Sequence, residues 1–492
     1  MRKEILSELL VLMAILAYNG LFWSEKMGLN TLIFAVIIVG ILWYRYPEAR
    51  HSRTVLIVTA GTLLTALCVV LNNSLFSKVV HILSMLTMGT CWQFPFLRFL
   101  WYGLLLGFLN IPWAPIQAVR KWSPLVSGRR NGHLGRWIQI SLVPLIIVTV
   151  FYVFYYVANE QFAAVSDRMW SAVWSFIALD VSFARLMFFF WGVLFTGALL
   201  WRSVLKGMVE ADAQKSFDLE RSRKKQGNWK PLFSMNGLKA EKRTALLSFG
   251  LLNLLILAVN FTDISHVWLF FQPRSASELK NYVHEGTYLL ILTILMAMGL
   301  IFYFFRKNLN FYPQNKTLKI LAYIWLVQNA FMALSVGMRN LHYVSNYALA
   351  YKRIGVMLFL ALTLYGIWTM YRKIAEKRTA YFILQRNAWA MYLVLTLCCA
   401  IDWDIFITKY NLTHRISDGK IDVSFLMYEM SDKNLYLLQK NKALLQDTTF
   451  TSYSSVANQL VVKKERFLRE QSNYSILSWN WADARNKQHL TE

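Results

Sequence analysis

The side chains with the chemistry to act on a solute gather in the second half of the chain, in or beside apolar runs. His284 and Glu285 stand in YVHEGTY, and Gln328 and Asn329 lie in the middle of a long apolar stretch. Arg339 and Asn340 close that stretch, Tyr351, Lys352 and Arg353 open the next, and Asp402 and Asp404 stand in DWD. His284-Glu285 is the first half of a zinc-binding HExxH, but position 288 is Tyr and no third ligand follows, so zinc is not expected. Asp402 and Asp404 are two apart and would leave a helix on different faces, which does not suit a paired-carboxylate centre. Neither GxxxxGK[ST] nor GxSxG occurs, which removes support for nucleotide hydrolysis and for an α/β-hydrolase. Cys68, Cys91, Cys398 and Cys399 all lie in apolar stretches without CxxC spacing, and read as small apolar fillers. No motif implies a metal or a cofactor. What remains is non-covalent binding by charged and amide groups.

Lipid must be the solvent around the elements that position these residues. Of the 492 residues, 56% are hydrophobic and only 16% are charged, whereas soluble domains carry about a quarter charged. At 1.5 Å rise, about 20 apolar residues cross the hydrocarbon. Eleven segments qualify: 5–23, 29–44, 54–72, 78–97, 137–158, 183–203, 244–262, 285–305, 318–337, 354–371 and 386–402. The first follows Arg2 and Lys3 like a signal peptide, but no small-residue cleavage site comes after it, so it reads as an uncleaved span. The fold expected is an all-α, polytopic transmembrane helical bundle with a small, mainly helical C-terminal extramembrane tail.

The net charge of +25 would point to nucleic acid if it formed a stripe on a soluble domain. Instead the basic residues sit in short runs between apolar segments. With the N-terminus inside, the inner connections carry 29 Lys and Arg and the outer ones 8. That asymmetry selects the N-inside orientation. Residues 98–119 are apolar yet have cytoplasmic flanks on both sides, and Pro112 and Pro115 interrupt them. They read as a re-entrant or interfacial segment. The inner loop 205–243 contains Arg221, Arg223, Lys224 and Lys225, suited to anionic lipid headgroups. Segment 159–182 reads as an outer amphipathic helix with tryptophans at headgroup level. The tail, 403–492, should hold helices at 431–446, capped by Ser431, and at 456–471.

This divides the chain into a membrane region at 1–119, a region with two spans and basic loops at 120–243, a membrane core at 244–402 and an extracytoplasmic tail at 403–492. The topology brings His284, Glu285, Arg339, Tyr351, Arg353 and Asp402 to the outer ends of consecutive spans. Glu285 would open its helix and pair with Arg339 or Arg353. Either these groups form one polar site, or the long side chains reach the headgroups one by one. Asn329 would join the site or hold helices together, beside the small-residue step from Ala333 to Gly337.

The stretches YVHEGTY (282–288), FFRKNLNFYPQNKTLKILAYIWLVQNA (304–330), RNLHYVSNYALAYKRIGV (339–356) and DWDIFITKYNL (402–412) resemble a family of bacterial multi-pass membrane proteins. That family is described only as a domain of unknown function. The resemblance covers about 260–412 well and the first 200 residues loosely. It implies a bacterial membrane location and supplies no reaction.

The expected function is therefore non-enzymatic. An integral protein of the bacterial inner membrane would bind or conduct a small polar or ionic solute. Its partners would be the lipid bilayer and, at the basic loop, anionic headgroups, with no nucleic acid and no cofactor. Two alternatives are a membrane scaffold or signalling component, and an intramembrane enzyme acting on a lipid-linked substrate through Glu285 or His284. No internal repeat marks an inverted-repeat transporter.

Overall fold

A computed structural model describes residues 2–126, 148, 151–152, 154–156, 158–177, 183–203, 206–221, 238–270, 276–306, 308–414, 421–446 and 453–491. Its helices are α1 (Arg2–Phe22), α2 (Leu29–Arg45), α3 (Arg53–Asn72), α4 (Leu75–Gln93), α5 (Leu100–Asn110), α6 (Ala114–Val126), α7 (Glu160–Ile177), α8 (Phe183–Leu200) and α9 (Lys206–Gln214). They continue as α10 (Leu238–Asp263), α11 (Ala276–Phe304), α12 (Lys316–Tyr347), α13 (Tyr351–Glu376), α14 (Ala380–Cys398) and α15 (Trp403–Thr413). The tail adds α16 (Leu435–Lys440), α17 (Lys442–Gln446), α18 (Tyr453–Ser472) and α19 (Trp481–Thr491). No strand occurs among the described residues. Seven of the described helices are long and apolar enough to cross a membrane, and two bent pairs raise that to nine. The molecule is an all-α, polytopic helical bundle.

Two compact units divide the chain. The first holds Met1–Ala213, Thr396–Ala400 and Leu468–Glu492, the second Gln214–Leu395 and Ile401–Phe467. In the first, α3 and α4 form a tight hairpin. Asn73 takes the left-handed conformation that asparagine tolerates, and the Ser74 hydroxyl accepts from Ser77 N to cap α4. Several polar groups inside this unit are paired at close range. Glu8 pairs with Arg45 at 2.8 Å and accepts from Trp201 Nε1 at 3.0 Å. Gln93 donates to the Ala198 and Leu199 carbonyls and accepts from Ser203 N.

Residues 98–119 form α5 and the start of α6, which meet at a 66° bend. The break holds Pro112, as the prolines require. Most of the expected span 137–158 lies outside the described residues. Segment 159–182 contains α7, at Glu160–Ile177. The C-terminal residues of the first unit seat on the α1–α2 loop: Leu29 N donates to Trp479 O at 2.9 Å, and Lys26 pairs with Glu470 at 3.0 Å. Gly28 is obligatory there, because a Cβ would fall 2.5 Å from Ser478 O.

In the second unit, α10–α13 pack around a core that includes Phe249, Ile301, Phe305, Trp325 and Ile374. Helix α18 runs where a helix at 456–471 was expected. The single helix expected at 431–446 is instead three short pieces, Asp432–Asn434, α16 and α17. Ser431 does not cap it by side chain, since its hydroxyl donates to Asp404.

Candidate functional site

Helices α10 and α12 pack in parallel at a constant register. Asn253 Nδ2 donates to Leu321 O at 3.0 Å, and Asn260 Nδ2 donates to Gln328 O at 3.2 Å, each across 68 positions. The two steps lie seven residues apart on both helices, the repeat that keeps one face against its neighbour. Gln328 Nε2 returns a bond to Asn253 Oδ1 at 2.8 Å. Further along, Trp268 Nε1 donates to Ser335 Oγ at 3.0 Å. The seam is polar in helices that are otherwise apolar.

It ends in an ion pair. Asp263, the last residue of α10, binds the Arg339 guanidinium through Oδ1, and the two side chains are 4% and 10% exposed. A π-helical turn, Ile264–Leu269, follows the aspartate. Such turns widen the helix locally and recur at functional sites. Trp268 in that turn stacks on Phe331, with ring centroids 5.8 Å apart.

Backbone carbonyls dictate how the amides point. At a helix–helix contact the accessible backbone groups are carbonyl oxygens, so an amide side chain donates through its nitrogen and its oxygen faces what remains. Asn260 Oδ1, Gln328 Oε1 and Asp263 Oδ2 are buried with no hydrogen-bond donor among the described residues. Asn260 and Asp263 are three apart and so share a face of α10.

The residues expected from sequence fall out differently. Arg339 belongs to the seam, where its guanidinium binds the Asp263 carboxylate. Asn329 is buried, donating to Trp325 O of its own helix at 2.7 Å, and its Oδ1 meets no donor among the described residues. It follows Gln328 directly, hence sits about 100° round the helix from the seam. Helix α11 begins at Ala276, so Glu285 does not open a helix and the dipole argument for it lapses. The side chains of His284 and Glu285 lie outside the described residues. Arg353 does not wait for a carboxylate. Its guanidinium donates to the Tyr347 and Ala348 carbonyls and lies 4.3 Å from the Tyr343 ring centroid, capping the C-terminal end of α12.

Tyr351 is exposed at the start of α13. Asp402 caps α15 by accepting from Ile405 N at 3.4 Å. Asp404 is bound to Lys433 at 2.9 Å, a buried pair that ties the tail to α15. Sequence reasoning missed Asn253, Asn260 and Asp263. The signal was their spacing of seven and three on one face of an apolar helix. No group of three or more His, Cys, Asp or Glu suited to a metal ion occurs among the described residues.

Long apolar helices with a polar seam and a buried ion pair define an integral membrane protein. The chain belongs to the family described as "Domain of unknown function (DUF4153)", whose model matches residues 31–441. No curated protein and no solved structure matches it.

Proposed function

We propose that this protein lies in the bacterial inner membrane and binds or conducts a small polar or ionic solute along the α10–α12 seam. One observation carries the reading: amide and carboxylate oxygens are buried without donors inside apolar helices, ending at the Asp263–Arg339 pair. Burying such groups costs stability that leucine would not, and ionisable groups at membrane depth mark solute or ion paths by default. The orientation proposed is N-terminus cytoplasmic and C-terminus outside, from the 29 to 8 excess of basic residues in the inner connections. It is supported by the C-terminal residues, which seat on the α1–α2 loop and, through Asp483, on Asn73 of the α3–α4 turn. Both connections fall outside in that scheme. The basic loop 205–243 would hold anionic headgroups, and the bilayer itself is the main partner.

Vesicles containing the purified chain test this reading with a panel of small neutral, anionic and cationic solutes, followed by osmotic swelling and by ion-sensitive dyes. At least one solute should pass or bind, and Asp263→Asn should change it. A panel with no member passing or binding contradicts the proposal.

A further inference from the structure

Away from the α10–α12 seam, the surface between α12 and α13 gathers positive charge that no acid among the described residues neutralises. We propose that it binds the phosphate of an anionic phospholipid through Lys319 and Lys377 and through the hydroxyls of Tyr323 and Tyr371. Only residues 348–350 join the two helices, which therefore run antiparallel. The Tyr323 and Tyr371 rings meet across them with centroids 5.2 Å apart, and this contact sets the register. Lys319 stands one turn before Tyr323 on α12, and Lys377 follows Tyr371 just past the end of α13. The two lysines come level there, near enough to repel each other. One rung of the site is a pair of ammonium groups, and the next, a turn deeper, is a pair of phenols.

The acids close by are already taken. Glu376 pairs with Arg372 at 2.7 Å and with Arg378 at 2.9 Å, and Asp218 pairs with Arg378. Lys319, Lys373 and Lys377 form no ion pair among the described residues. Lys373 is buried and donates to the Phe305 and Arg378 carbonyls, which adds a third, fixed positive charge. Lys377 Nζ stands 5.0 Å from the Phe311 ring centroid. Lys319 is half-buried. Like charges held together at such a site cost stability, and an anion between them removes that cost. Neither phenol hydroxyl makes a hydrogen bond among the described residues, so both can donate to phosphate oxygens. The flanking surface selects a lipid over a free anion. Ile320, Ile324 and Val327 follow along α12 at 47%, 44% and 68% exposure, an apolar track for acyl chains leading away from the charges. Basic sites between spans take anionic headgroups in this way. The site shares no residue with the basic loop 205–243 and does not depend on the solute reading.

The test is thermal unfolding of the purified, delipidated full-length protein in detergent, read by tryptophan fluorescence. Phosphatidylglycerol, phosphatidylcholine with the same chains, and inorganic phosphate are each titrated in. Phosphatidylglycerol should raise the midpoint saturably, and the other two should not. A lysine near an anionic headgroup is worth about fivefold in affinity. Half of the rise should therefore need about fivefold more phosphatidylglycerol in Lys319→Gln and in Lys377→Gln, and about 25-fold more in the double variant. Tyr371→Phe should shift the half-point the same way. Lys409→Gln, at an exposed position on α15, should leave it where it is. An equal rise with phosphatidylcholine overturns the proposal, because the chains alone would then be bound. A rise with inorganic phosphate that matches phosphatidylglycerol overturns the lipid and leaves a free anion in its place. An unchanged half-point in the double variant overturns the site. If the double variant does not fold, native mass spectrometry of lipid bound to the two single variants decides, and occupancy equal to that of the parent protein in both overturns the site.

Discussion

Replacing Asn260 by leucine should make this protein more stable while removing its capacity to handle solute. Asn260 is 5% exposed on α10, and leucine is close to it in shape. The substitution deletes one bond, from Nδ2 to Gln328 O at 3.2 Å. Side-chain bonds between membrane helices are worth about 0.6 kcal/mol on average. The Gln328 carbonyl lies inside α12 and keeps its own helical donor, so it is not stranded. The substitution also deletes Oδ1, a buried acceptor with no donor among the described residues. Relieving an unsatisfied buried polar group returns about 1–3 kcal/mol. The balance favours the variant by about 1 kcal/mol, or a few degrees in Tm. Thermal unfolding of the purified protein in detergent reads this directly. A loss of more than about 1 kcal/mol would refute the reasoning, because it would mean that Oδ1 already has a protein partner. A natural residue that costs stability and serves a site is the pattern expected where function opposes stability.

Other outcomes follow from the same structure. Asp263→Asn or Arg339→Gln alone should cost about 3–5 kcal/mol, and the double variant should recover part of that, as measured by a thermal double-mutant cycle; strict additivity contradicts the pairing. Asn329→Leu loses only a bond to its own helix and an unpartnered oxygen, so Tm should hold or rise. Ala348 sits at φ 65° and ψ −177°, a region that suits glycine, so Ala348→Gly should stabilise by about 1 kcal/mol. The Glu25 carboxyl, outside the spans, is raised by burial, but hydrogen bonds from Ser475 and Ser478 outweigh this and hold it below its usual 4.5. A depressed acid contributes stability above the unfolded value and loses it as pH falls through the folded one. Proteolysis of the C-terminal residues should therefore rise below about pH 4.5, and Glu25→Gln should flatten that dependence.

Much of the architecture is legible in the sequence, because crossing lipid demands long apolar helices and prolines break them where they fall. Segment 98–119 and its bend at Pro112 show both rules acting together. Helix ends are less legible. Hydropathy reports where lipid stops, but backbone bonding does not stop there, and α11 begins at Ala276, well before the apolar run. The partner of Arg339 was hidden for another reason. Asp263 is 76 positions away, and only the parallel register of α10 on α12 brings it close. A search for acids near Arg339 in sequence, or at matching span ends, points instead to Glu285. Arg353 was read as needing a carboxylate, yet carbonyls at the end of α12 and a tyrosine face serve a guanidinium as well.

On this reading solute enters the α10–α12 seam. Cysteine reactivity at Asn260→Cys tests it most directly, because the four native cysteines are all buried. The variant, reconstituted in vesicles, is treated with a small cationic methanethiosulfonate. Modification at position 260 is the predicted result. A thiol at 260 that stays unreactive, or reacts no faster than one at the lipid-facing Leu257→Cys, would contradict a solute in the seam.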